Sequence, residues 1–380
     1  MKILNVIDNI DERTGGGAAE RTRQLGFHLS ALGHDVTLLT TKYNLNTSNI
    51  QSLGNIKLIA TPCLSYRFFI PFPLFWIFNR AVKNVDVIHL VSHWSILNAI
   101  VFLFIKIHKK PYIISPLGAL PIFGRSSLKK RVYNFLTGNT IIRKANTCVV
   151  ATLDELTALS SYGVEESSVT HIPNGIKEDD YINTVISEEF SFLNKHPFIL
   201  FIGRLNPIKG PDILLEAFCK VKDSFPDVHL VFIGRETFEE GVLKSLKKTA
   251  SEFSMHDRTH FLGWVSRQDK AAILHASLFL AIPSRQDAMS IVVLESGITG
   301  KPALITDKCG FNEVASVGGG IVVPATINGV ASGLEELLNS QSDLSLMGLN
   351  LKKLVKKSYL WSSISKQHLS IFNQVIKKNF

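Results

Sequence analysis

Two cations stand five residues apart in Gly203-Arg204-Leu205-Asn206-Pro207-Ile208-Lys209-Gly210, directly after the apolar run Phe198 to Ile202. Arginine offers a planar fork of donors that matches phosphate oxygens, and lysine a compact charge, so the pair can hold a diphosphate without a metal. A second cluster runs Pro283-Ser284-Arg285-Gln286-Asp287-Ala288-Met289-Ser290-Ile291-Val292-Val293-Leu294-Glu295. It puts two carboxylates eight positions apart, Asp287 in a loop and Glu295 on the helix expected after it. The small residues between them leave N–H groups near a helix start free for an anion, while the carboxylates can accept sugar or ribose hydroxyls. The third, Thr14-Gly15-Gly16-Gly17, is a glycine-rich turn between a strand and a helix, where backbone amides can approach a phosphate. It is neither GxGxxG nor a P-loop, so the nucleotide sites of dehydrogenases and P-loop proteins are not supported. The plain alternatives are a flexible turn for the glycines and solvated loop cations for Arg204 and Lys209. A place at a strand's carboxyl end favours binding.

The elements that must position these residues are short apolar strands alternating with helical patterns, the signature of βαβ units and parallel sheets. The strands expected in the first half are Lys2 to Ile7, Asp35 to Thr40, Ile56 to Ala60, Asp86 to Val91, Pro111 to Ser115, Asn146 to Val150 and Ser168 to Pro173. Helical patterns are clearest at Ala18 to Leu32 and Leu153 to Tyr162. The polar stretch Lys177 to His196, with five carboxylates against two lysines, reads as a linker. Alternation then restarts, with strands at Phe198 to Gly203, His229 to Gly234, His260 to Val265, Leu278 to Ser284, Ala303 to Asp307 and Gly320 to Pro324. Helices fall near 212–224, 239–253, 268–276 and 291–299. The fold class is α/β, with two doubly wound domains facing a cleft at their strand carboxyl edges, where open sheets of this kind bind ligands.

Composition agrees with a globular protein. The 380 residues are 19% charged and 46% hydrophobic, which excludes disorder and gives two domains of ordinary size. The net charge of +9 is uneven: residues 42–144 hold fourteen basic residues and one acid, Asp86, for +13, which leaves −4 for the rest. Within that basic stretch lie Arg67-Phe68-Phe69, Phe72, Phe75-Trp76, Phe78, Arg80, Lys83, Arg125, Lys129-Lys130-Arg131 and Tyr133. Cations beside bulky apolar side chains suit an anionic membrane surface. Stacking on nucleic-acid bases is the competing reading and ranks lower, since no nucleic-acid module is recognisable; a domain core with solvated cations is the plain one, and direct recognition of a ligand's phosphates a third. The cysteines Cys63, Cys148, Cys219 and Cys309 are scattered and suggest buried thiols in a reducing compartment. The early charge in MKILNVID argues against a secretory signal. The longest apolar run, Ile96 to Ile105, is half of the ~20 residues a membrane span needs. The expected location is cytoplasmic, or peripheral on a membrane's inner face. His256 and His260 have helical metal-ligand spacing without an HExxH context, so no metal site is expected.

Taken together, GRLNPIKG, SRQDAMSIVVLES, the triple-glycine turn, Gly33 to Thr40 (GHDVTLLT) and His171 to Ile176 (HIPNGI) resemble the family-4 retaining glycosyltransferases of the GT-B fold. The resemblance covers nearly the whole chain. It implies an N-terminal acceptor- and membrane-side domain over 1–185, a nucleotide-sugar-binding domain over 190–357, and a C-terminal helix, 358–380, packing back on the first domain. It also implies a metal-independent transferase with no cofactor beyond its nucleotide-diphosphate sugar donor, acting on a glycan or lipid-linked acceptor in bacterial surface polysaccharide assembly. Arg204 and Lys209 would hold the donor diphosphate. Glu295 matches the second glutamate of the family's E-x7-E motif and would accept ribose hydroxyls; Asp287 stands where the first glutamate is usual and would face the donor sugar. Gly15, Gly16, Gly17 and Gly203, with the amides near Ala288, Met289, Ser290 and Ile291, complete the donor side.

Two positions depart from the family pattern. Asp287 is one methylene shorter than glutamate. In Ile113-Ile114-Ser115-Pro116-Leu117-Gly118, Leu117 stands where many members carry histidine before the glycine. With Leu117 and Gly118 on the acceptor and sugar side, His93, after the strand ending at Val91, is a candidate replacement for the missing imidazole. The alternatives to a transferase are a nucleotide-sugar 2-epimerase of the same two-domain shape and a non-catalytic nucleotide-sugar-binding assembly subunit.

Overall fold

A computed structural model describes residues 1–11, 14–45, 50–51, 53–65, 69–122, 127–182, 184–236 and 241–378. The chain forms two compact units, one of Met1–Asn174 with Trp361–Phe380, the other of Gly175–Leu360.

Unit 1 is built on a parallel sheet of β1 (Lys2–Val6), β2 (Asp35–Thr41), β3 (Lys57–Thr61), β6 (Val87–Val91), β7 (Tyr112–Ser115), β8 (Thr147–Val150) and β9 (Val169–His171), in the order β3-β2-β1-β6-β7-β8-β9. A short antiparallel pair, β4 (Cys63–Ser65) and β5 (Ile70–Pro71), lies outside it. Every residue of β6 and β7 is buried, as central parallel strands covered on both faces require. One face packs on the helix Ile96–His108, the other on Gly16–Ala31. The chain's last helix, Trp361–Lys378, belongs to this unit. Its Trp361, Ile364, Phe372 and Val375 are buried with Ile3, Leu25 and Val36, a periodicity of three and four that makes one apolar stripe.

Unit 2 repeats the plan with β10 (Phe198–Ile202), β11 (His229–Ile233), β12 (Thr259–Gly263), β13 (Phe279–Ile282), β14 (Ala303–Thr306) and β15 (Gly320–Val323), in the order β12-β11-β10-β13-β14-β15, all parallel. The order reverses between β10 and β13, and the loops that leave their carboxyl ends carry Arg204 and Asp287. That is the switch point at which doubly wound sheets hold ligands.

The first unit runs to Asn174 and the second begins at Gly175, so residues 177–196 are not a free linker. Two 3-10 turns, Glu178–Tyr181 and Glu188–Lys195, belong to unit 2. Tyr181, Phe190 and Leu193 are buried there, Asp180 pairs with Arg267 at 2.6 Å, and His275 Nε2 meets the Tyr181 carbonyl at 2.8 Å. Charged composition hid the three apolar anchors spaced among the acids.

Candidate active site

The loop after β10 owes its shape to its own residues. The Asn206 side chain accepts from the Lys209 amide at 3.0 Å, Pro207 opens the 3-10 turn Pro207–Lys209, and Gly210 closes it with φ of +68°. Gly210 then leads into the helix Pro211–Val221, whose first residue is again proline. This succession of cap, proline and left-handed glycine is the local chemistry that stops one turn and starts the next helix. Arg204 is thereby left exposed, and among the described residues it has no ion-pair partner. Lys209, by contrast, is paired. Its Nζ is in a short contact with Asp287 Oδ2, the two side chains being only 20% and 15% exposed.

The loop after β13 is fastened to the first. The Arg285 amide donates to the Ile208 carbonyl at 2.7 Å, and its guanidinium forks onto both Asp212 oxygens at 2.9 and 2.6 Å. The Asp287 amide donates to the Lys308 carbonyl at 2.8 Å. The helix Ile291–Ile298 follows, with Ser290 at its N-cap; the Val293 amide turns back to the Ser290 carbonyl at 3.1 Å, and the Ile291 and Val292 amides have no side-chain cap. Ala288 and Ile291 are partly exposed, whereas Met289 and Ser290 are buried. One turn on, Glu295 is buried with 6% of its side chain exposed; Oε1 receives Lys270 Nζ at 2.7 Å.

Unit 2 thus brings Arg204, Lys209, Asp287, Gly203 and the 288–291 segment to one sheet edge, with Glu295 on the helix behind. Gly203 is held there by closeness. Its carbonyl lies 1.8 Å from where a side chain at Gly234 would begin, so a glycine at 234 is obligatory.

The remaining expected residues lie in unit 1. Gly15 caps the helix Gly16–Ala31, its amide bonded to the Asp11 carbonyl at 2.8 Å; Gly16 has φ of +62°, and Gly17 continues the helix. No acid occupies that helix's first turn. Leu117 and Gly118 both take left-handed backbone, φ +53° and +74°. The cause is a residue the sequence reading did not single out. Glu155, 6% exposed, accepts from the Gly118 amide at 2.6 Å and from the Ala151 amide at 2.8 Å, and so pins the loop to its neighbour. Left-handed leucine is uncommon and marks a conformation imposed by its surroundings.

His93 does not take the histidine's place at a surface. It is 1% exposed, packed edge-on against Trp94, Tyr133 and Tyr162 at 4.5, 5.6 and 5.3 Å. Its Nε2 donates to Asn134 Oδ1 at 2.8 Å, and burial lowers its pKa to about 4. It is a neutral core imidazole. His256 and His260 do not converge either: His256 faces Asp257 at 3.1 Å, and His260 Nε2 lies 2.9 Å from His229 Nδ1.

The basic stretch divides. Phe78 is core, fully buried, and Tyr133 is partly buried with its hydroxyl on the Ser95 carbonyl at 3.0 Å. Phe72, Phe75 and Trp76 are exposed, and Phe69 is partly buried edge-on to Tyr43. Arg67, Phe68 and Arg125 lie outside the described residues.

The sequence pattern described as Glycosyltransferase Family 4 matches residues 15–180, and that described as Glycosyl transferases group 1 matches residues 183–354. The chain belongs to the family-4 glycosyltransferases. An uncharacterized glycosyltransferase of Methanocaldococcus jannaschii is 23% identical over 394 residues, which take in 98% of each chain. Among solved structures, Anabaena HepE in complex with UDP and glucose superimposes with a TM-score of 0.79 at 17% identity, over 98% of this chain and all of that one. WaaG, a glycosyltransferase involved in lipopolysaccharide biosynthesis, superimposes with a TM-score of 0.71 at 16% identity over 97% and 99%. These likenesses establish the fold. This glycosyltransferase has the two Rossmann-like parallel-sheet domains of the GT-B class, and among its described residues no helix is long and apolar enough to cross a membrane.

Proposed function

We propose that this glycosyltransferase moves a sugar from a nucleotide-diphosphate donor to a glycan or lipid-linked acceptor with retention of configuration, without a metal, in bacterial surface polysaccharide biosynthesis. The observation that carries the donor class is the grouping at the edge of unit 2: an exposed arginine with no ion-pair partner among the described residues, a lysine held by Asp287, and the start of the helix Ile291–Ile298, which no side chain caps. The UDP bound to HepE supports a nucleoside diphosphate, and the role of WaaG in lipopolysaccharide biosynthesis supports the acceptor class.

On this reading Arg204 forks the phosphate oxygens and Lys209 divides its charge between Asp287 and the diphosphate. As the bond from C1 to the phosphate oxygen breaks, negative charge grows on the departing nucleotide where both cations already stand. The acceptor hydroxyl forms its bond to C1 on the same face and gives its proton to the leaving phosphate. Asp287 accepts from a hydroxyl of the donor sugar, and Glu295 Oε2 from the ribose. NMR of the donor incubated with and without acceptor tests the reaction. Transfer that needs the acceptor and keeps the anomeric configuration is the expected result; epimerised donor in the acceptor's absence, or bound nucleotide with neither transfer nor donor hydrolysis, would replace the reading with one of its alternatives.

The unit 1 surface supports a membrane-side partner. On the helix Ser127–Tyr133 and the π-turn Asn134–Gly138, Leu128, Phe135 and Leu136 are 73%, 86% and 72% exposed, among Lys129, Lys130 and Arg131. Such side chains enter an interface whose anionic headgroups the cations attract. The protein should float with liposomes containing anionic lipid and much less with neutral ones. Phe135→Ser together with Leu136→Ser should weaken flotation about tenfold or more, since two bulky side chains contribute ~1.5–3 kcal/mol each on burial. Equal failure to bind both liposomes would reject the membrane partner.

A further inference from the structure

Glu295 presents an imbalance that its place in the site explains. One carboxylate oxygen, Oε1, is taken by Lys270 at 2.7 Å; the other, Oε2, is closed to solvent and has no hydrogen-bond partner among the described residues. A buried carboxylate oxygen without a donor is costly, so a protein that keeps one gains when something supplies the donor. Lys270 is itself well fixed. It lies on the helix Arg267–Ala276, whose N-cap Ser266 accepts from the Asp269 amide at 3.0 Å and whose first residue, Arg267, is tied to Asp180 at 2.6 Å. Its side chain is 23% exposed.

We propose that Lys270 is a positioning residue that makes the donor site read the ribose. The inference rests on the reading above that Glu295 meets ribose hydroxyls. By occupying Oε1, Lys270 fixes the carboxylate's orientation and leaves a single acceptor oxygen, so that only a donor sugar nucleotide bringing a hydroxyl to Oε2 completes the pair. A nucleotide lacking that hydroxyl leaves the oxygen unpaired in the complex and is penalised, the asymmetry by which sites built around a hydrogen bond reject an analogue without it. Without Lys270 the carboxylate is free to turn, and a missing hydroxyl is no longer felt.

The test compares the affinities of UDP, GDP and ADP with those of their 2′-deoxy and 3′-deoxy counterparts by calorimetry, on the full chain and on Lys270→Met, Lys270→Arg and Glu295→Gln. The wild-type protein should bind the tightest of the three ribonucleotides about tenfold or more tighter than at least one of its deoxy forms, as expected for a hydrogen bond to a charged group. Lys270→Met should bring that ratio to within about twofold of unity, and Lys270→Arg should restore most of it. Affinity for inorganic pyrophosphate, which the Arg204 and Lys209 loop would carry, should stay within about twofold in Lys270→Met. If Lys270→Met keeps the wild-type ratio while Glu295→Gln loses it, the role given to Lys270 is wrong and that of Glu295 stands. If the wild-type ratio is unity, the ribose role of Glu295 falls and the inference with it. If Lys270→Met loses pyrophosphate binding as well, Lys270 merely supports the fold of unit 2 and the inference is overturned.

Discussion

Replacing Arg204 by alanine should lower kcat for sugar transfer by about 10²–10³, the cost of removing one donor aimed at developing negative charge (roughly 2.7–4 kcal/mol). Stability should barely move. The side chain is exposed and has no ion-pair partner among the described residues, and surface changes of that kind stay within about 0.5 kcal/mol. Lys209→Ala should cost transfer as much, but for a compound reason. Lys209 is held by Asp287 in a largely buried pair, so its removal both takes a charge from the diphosphate and leaves a carboxylate beside it. Asp287→Asn in the Lys209→Ala background should therefore recover part of the loss, and a double-mutant cycle would show the coupling. Arg204→Lys keeps the charge without the planar fork and should fall between wild type and alanine. Near-normal turnover in both alanine variants would remove these residues from the chemistry.

The contrast between those two cations shows where sequence reading stops. Their loop was legible because its signals are local: asparagine, proline and glycine punctuate it, and an apolar run precedes it. The thirteen main strands were legible for a related reason: most are short apolar runs, and several are followed at once by glycine or proline, as at Gly203, Gly234, Pro283 and Pro324. Pairings were not legible. Lys209 meets Asp287 across 78 residues, Arg285 meets Asp212 across 73, Lys270 meets Glu295 across 25 and Glu155 meets Gly118 across 37. A lone lysine on a helix carries no mark of whether it faces water or a buried carboxylate. His93 makes the same point in reverse: it stands at a strand's carboxyl end, as a ligand-binding histidine would, yet three aromatic rings enclose it. Residue type restricts the chemistry, but only the fold decides which groups share it.

The second large effect is expected at Gly210, where two donor loops touch. A side chain built there would begin 2.1 Å from the Pro283 carbonyl oxygen, far inside contact distance, and the backbone at φ of +68° disfavours any L side chain. Gly210→Ala must therefore push the Arg204–Lys209 loop away from the loop that carries Arg285 and Asp287. The left-handed conformation alone costs ~1–2 kcal/mol, and with the displaced backbone the unit should lose about 2–4 kcal/mol, the range of strain at special backbone sites. Gly241→Ala separates the two terms. Its φ is +96°, but no atom of the described residues lies within 4 Å of the added carbon, so only the conformational cost of ~1–2 kcal/mol is expected. Trp264 is the one tryptophan of unit 2, and its fluorescence during urea unfolding reads both variants. Gly210→Ala should also lose donor affinity, because Lys209 and Asp287 sit on the two loops being parted, whereas Gly241→Ala should bind donor as the wild type does. Equal losses of stability in the two variants, with donor binding intact in both, would mean that the contact between the loops is not what holds the cations in place.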